Sequence, residues 1–178
     1  MEHPVAAPII VTATFVPADF QWLDGLRRAH YPPDRNQLPA HLILFRHLPP
    51  SALGELVRLL KIETRDVPPP PARLAALMSL GRGVGFRVQS DGLAGIRDRI
   101  ADALAGQLTP QDQAWRPHVT IQNKVAPAVA KALLAQLEAG FRPRPIGLAG
   151  LAAFFYRDGP WEPIASFAFN RSGRSRRS

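Results

Sequence analysis

The chain contains no cysteine. That one absence excludes disulfides, thiolate zinc sites and cysteine nucleophiles together. Lysine is scarce as well, with three lysines against nineteen arginines. No apolar run approaches the roughly 18 residues that a membrane-spanning helix needs, so no membrane partner is expected. The opening Met1-Glu2-His3-Pro4-Val5 has no basic segment leading into an apolar one. No secretory signal is read there, and a cytoplasmic protein is the expectation.

What is present is a 178-residue chain, 46% hydrophobic, long enough for one domain with a real core and short for two. Residues 1–170 are expected to form that domain. Residues 171–178 form a basic tail, expected to be disordered, that carries Arg171, Arg174, Arg176 and Arg177. The net charge is +8, and the chain without those four arginines still carries +4. A basic surface fits a polyanionic partner, RNA above all.

Along the chain, residues 8–16 are rich in β-branched side chains and predict a strand. A helix follows over residues 19–30, with Phe20, Leu23, Leu26 and Arg27 at helical spacing and Asp19 as its N-cap. Tyr31-Pro32-Pro33 ends it. Residues 41–45 predict a second strand. Ser51 opens a helix with Leu53, Leu56, Val57 and Leu60 on one face. The run Val67-Pro68-Pro69-Pro70-Pro71 is a polyproline-like loop. Beyond it come a hairpin about Gly81-Arg82-Gly83, a helix over residues 92–104 and a strand over residues 117–122. A helix then starts at Pro127, with Val129, Leu133 and Leu137 inward. Two strands around Asp158-Gly159-Pro160 close the chain. The second half repeats the first in outline. An α+β fold follows, with two similar lobes of antiparallel sheet plus helices around a central groove, related by a pseudo-two-fold.

The repeat brings two motifs into register. His41-Leu42-Ile43-Leu44 and His118-Val119-Thr120-Ile121 each open a strand shortly after a proline, Pro39 and Pro117. Strand residues alternate faces, so His41, Ile43, Phe45 and His47 would share one face, and His118, Thr120, Gln122 and Lys124 another. Two imidazoles facing each other across a cleft would supply a general acid and a general base. Phosphodiester chemistry can run on that pair without a metal.

These motifs resemble those of the 2H phosphoesterases, and especially of their 2′–5′ RNA ligase-like branch, the RNA 2′,3′-cyclic phosphodiesterases. The family pattern is His-x-Thr/Ser-x, twice, and the resemblance spans roughly residues 8–169. It implies a metal-independent phosphodiesterase without cofactor, acting on RNA or a nucleotide with a cyclic phosphate. It also implies His41 as acid, His118 as base and Thr120 as a phosphate ligand. Ile43 departs from the pattern, because it stands where the family has Thr or Ser. A hydrogen bond to a charged group is worth about 1.5–3 kcal/mol. The missing hydroxyl therefore predicts roughly 10- to 200-fold weaker phosphate or transition-state binding. Gln122 and Lys124 are expected as further phosphate ligands. Phe86, Trp115, Tyr156 and Trp161 are candidates for base stacking. The alternative reading is an RNA- or nucleotide-binding module whose catalysis was weakened or lost at Ile43.

Overall fold

The computed structural model describes residues 7–170; His3 and the arginine-rich tail lie outside them. The N-terminal part runs β1 (Ile9–Phe15), α1 (Pro17–His30), β2 (Leu42–Leu48), α2 (Leu53–Thr64) and β3 (Ala72–Ser79). The rest runs β4 (Val84–Gln89), α3 (Asp91–Ala103), β5 (His118–Gln122), α4 (Pro127–Glu138), β6 (Arg144–Ile146), β7 (Leu148–Phe155) and β8 (Glu162–Ala168). Two four-stranded sheets result, ordered β2-β1-β7-β8 and β5-β4-β3-β6. Every pairing is antiparallel. The expected two-lobed α+β architecture is what the chain adopts.

The lobes are interlocked. β3 leaves the first half of the chain to pair with β4, and β7 returns from the second half to pair with β1. Each sheet therefore holds strands from both halves. One continuous core runs through both, with Phe45, Leu56 and Leu151 on one side and Leu74, Ile100 and Val119 on the other. β1 can sit at the centre because its β-branched run Ile-Ile-Val-Thr is almost wholly buried. The strands that carry the histidine motifs, β2 and β5, are both sheet edges. Edge position leaves one side of each free for a groove.

Local signals shift several expected boundaries. α1 starts at Pro17, which is pre-organised for a first helical turn, and Val16 caps it with backbone alone. Asp19 is therefore not the cap. Its carboxylate sits in the first turn, accepts the Gly147 N–H at 2.7 Å and pairs with Arg144 at 3.5 Å. Ser51 lies in a short 3-10 turn (Pro50–Ala52), and α2 begins after it. In α4 the buried stripe is Ala130 and Leu133, while Val129 is 51% exposed. Short β6 escapes sequence reading because Arg-Pro-Ile has no alternation to detect.

Candidate active site

Both histidines use one local device. The Nδ1 of His41 lies 2.8 Å from the Pro39 carbonyl, and the Nδ1 of His118 lies 2.7 Å from the Arg116 carbonyl. A carbonyl only accepts, so in each ring Nδ1 carries a proton and Nε2 is left for a ligand. The proline-containing approach to each strand supplies the carbonyl two residues back. For His41 that approach is pinned further, because Ala40 N–H donates to Asp24 at 3.0 Å.

The two imidazoles line one groove of about 600 Å³. Ile43, Thr120, Trp115 and Trp161 share its walls, together with Arg27, Arg46 and Arg116. Asp112, the acid among those lining residues, has both carboxylate oxygens engaged by the N–H groups of Arg46 (2.7 Å) and His47 (2.9 Å). The groove is therefore electropositive. Burial pushes His41 down to about 4; the Pro39 carbonyl opposes this, and Arg27, Arg46 and His118 add to it. Among the described residues no three His, Cys, Asp or Glu side chains gather into a cation-binding cluster.

Simple alternation fails beyond the motifs, and bulges are the reason. On β2 the pairing with β1 skips at Leu44 and again at Arg46-His47. Phe45 is thereby turned into the core instead of sharing the His41 face, and Arg46 reaches the groove. His47 is exposed and outside the groove lining. On β5, Thr120 pairs with Gly85 and Gln122 with Val84, leaving Ile121 as the extra residue. Glycine is needed here: a Cβ at Gly85 would lie 2.9 Å from the Val119 carbonyl oxygen, and one at Gly83 would run into the Gln122 carbonyl. Gln122 is 4% exposed, with its side-chain oxygen unpartnered, and does not line the groove. Lys124 adopts a left-handed turn (φ 62°), is exposed, and is also outside the lining. The expected ligand roles of Gln122 and Lys124 thus have no geometric basis. Asn123 lines the groove instead.

The cations that sequence reasoning passed over come from elsewhere. Arg27, on α1, is only 3% exposed yet lines the groove. It donates to Asn36 Oδ1 (2.8 Å) and to the Thr120 carbonyl (3.1 Å), and stacks 4.3 Å from the Tyr31 ring. Among the described residues no carboxylate forms an ion pair with it. Its signal was visible as an arginine on the apolar stripe of α1. Arg97, on α3, does the converse: it donates to the Leu44 carbonyl (3.0 Å) and to the Asp112 carbonyl, and stacks over Phe45 and Trp115. Trp115 completes the hold on β2 by donating to the Ile43 carbonyl at 2.8 Å. Each histidine strand is thus held by a buried arginine from a helix of the opposite repeat. Of the aromatic candidates, Trp115 and Trp161 reach the groove, Phe86 is core and Tyr156 is exposed away from it.

The chain is similar in fold to a Thermus thermophilus protein, TT0787, at 18% identity and TM-score 0.60 over 94% of this chain and 100% of that one. It is similar to Escherichia coli LigT, crystallised with 3′-AMP, at 15% identity and TM-score 0.63 over 93% and 99%. A structure described as a phosphoesterase matches at 15% identity and TM-score 0.60 over 93% and 99%. No curated protein matches the chain in sequence. The family description "2'-5' RNA ligase superfamily" matches residues 15–152, most of the chain. The protein therefore belongs to the 2′-5′ RNA ligase superfamily, within the 2H phosphoesterases.

Proposed function

We propose that the groove is the active site of a metal-independent phosphodiesterase that opens 2′,3′-cyclic phosphates at RNA ends or on nucleotides. The observation that carries this reading is the pair of identically locked imidazoles in one arginine-lined groove. A phosphate between them meets a free Nε2 on each side. LigT has been crystallised with 3′-AMP, NADP+ and ATP, which supports a nucleotide as the ligand here.

The electrostatics favour His41 as the base, reversing the roles that the family resemblance implies. Its pKa of about 4 keeps it neutral near pH 7. A neutral imidazole with a free Nε2 accepts a proton from water. Water attacks phosphorus and gives its proton to His41, the bond to the 3′ oxygen breaks, and His118, entering as the imidazolium with a second proton on Nε2, donates that proton to the departing oxygen, leaving a 2′-phosphate. Arg27, Arg46 and Arg116 offset the charge that builds on the phosphate oxygens, with Thr120 beside them. His41→Ala and His118→Ala should each lower turnover of a 2′,3′-cyclic nucleotide by at least about 100-fold, the scale of general acid–base catalysis. Wild-type turnover in either variant would refute the pairing.

A second reading has its own observation. Ile43 lines the groove with an apolar side chain where the motif has a hydroxyl. On that reading the groove binds nucleotides and turns them over feebly or not at all. Nucleotide binding by calorimetry, without turnover in the wild type, would select it.

A further inference from the structure

Behind His41 lies a second cavity, of about 330 Å³. It shares Leu38, His41 and Trp161 with the groove, so the two spaces adjoin with His41 at their partition. The two differ in chemistry. The groove carries three arginines, whereas among the described residues no Asp, Glu, Lys or Arg side chain lines the cavity. Its floor is Thr12 to Phe15 of β1, and Phe20, Phe154 and Trp161 form its walls. Trp161 sits 4.7 Å from the His41 ring, tilted by 58°, and 5.6 Å from Phe154.

We propose that this chamber holds the base of the nucleotide whose phosphate lies between His41 and His118. The proposal rests on the reading of the groove as a phosphate site. A phosphate at His41 places anything joined to it through one sugar next to the partition. Aromatic, uncharged walls suit a flat neutral ring and repel a second phosphate. The volume is at the small end of ligand pockets, about 300–1,000 Å³, which fits one base and not two. Gln37, Pro39 and Pro160 form an open rim. The polar edge of the base stays in water at that rim, so recognition is by ring face and area. Purines are favoured over pyrimidines, with little choice between one purine and another.

The test is calorimetric binding of adenosine 2′-monophosphate, uridine 2′-monophosphate and inorganic phosphate to the full-length protein. The wild type should bind the adenosine nucleotide at least tenfold more tightly than phosphate, with the uridine nucleotide between them. Trp161→Ala should erase at least fivefold of that margin, taken against the variant's own phosphate affinity, and Trp161→Phe should retain most of it. Thr14→Phe, which fills the chamber from its floor without touching His41 chemistry, should erase the margin too and serves if Trp161→Ala does not fold. Equal wild-type affinity for nucleotide and phosphate, or a margin untouched by Thr14→Phe, overturns the proposal. Turnover of a cyclic nucleotide is scored separately. A base-dependent margin without turnover removes the phosphodiesterase reading and keeps the chamber; turnover without a margin does the opposite.

Discussion

The two histidine strands are built alike and held alike, yet they are not equivalent. On β5, Arg27 reaches across from α1 to the Thr120 carbonyl; on β2, Arg97 reaches across from α3 to the Leu44 carbonyl. Both guanidiniums are buried, and burial lowers the pKa of each. Arg97 spends its donors on two carbonyls beneath β2 and lies outside the groove lining. Arg27 holds β5 and also faces the groove. The strand that carries Thr120 is held by an arginine that also faces the groove; the strand that carries Ile43 is clamped by one that does not, and its own Arg46 faces the groove. The same device thus serves position in one lobe and position plus charge in the other.

Substituting the two arginines breaks that comparison most sharply. Arg97→Met should cost about 3 kcal/mol, because it leaves two buried carbonyls unpaired and removes a ring stack. For a chain of this size the melting temperature should fall by roughly 6–12 °C. Loss of activity should follow the loss of fold. Arg27→Met should also lower stability, and in addition should cost activity that a folded protein does not recover. Turnover of a cyclic nucleotide should fall by roughly 10- to 200-fold, the worth of a charge-assisted hydrogen bond, at a temperature where the variant is fully folded. If the variants behave identically in melts and kinetics, the division of labour is wrong. The mildest change concerns Ile43. Ile43→Thr keeps the β-branch and returns a hydroxyl to the groove wall. Activity should rise about tenfold, the lower bound for such a bond, with a small drop in stability from the lost apolar contact. Unchanged or lower activity in a folded variant would mean that position 43 is not a phosphate ligand here.

How much of this could be read from the sequence depends on whether the signal was local. Element order was legible apart from short β6, since each helix has an apolar stripe and each turn its proline or glycine. So was the convergence of His41 and His118 on one groove, which follows from the repeated order. The exchange of β3 and β7 between repeats was not, because strand pairing is decided by packing between distant segments. Alternation held from His41 to Ile43 and from His118 to Thr120, then failed at bulges. Those bulges depend on partners such as Asp112 and Gly85, far away in the chain. Phe45, Gln122 and Lys124 were misplaced for that reason. Arg27 stood in plain view on an apolar helix face. An arginine there asks which carbonyl or anion satisfies it, and the reply lay in the opposite lobe.

The central claim is that His41 and His118 hydrolyse a cyclic phosphodiester without a metal, His41 entering neutral. The measurement that meets it most directly is kcat/KM for a 2′,3′-cyclic nucleotide against pH, in excess EDTA, with the product identified by phosphorus NMR. Because kcat/KM reports the free enzyme, its acid limb follows the base before substrate binds. His41 is held at about 4. The rate constant should therefore not fall as pH drops through 6.5, the ordinary imidazole value, and should decline only toward pH 4, with the 2′-phosphate as product. Turnover that collapses in EDTA, or an acid limb centred at or above pH 6.5, would contradict it.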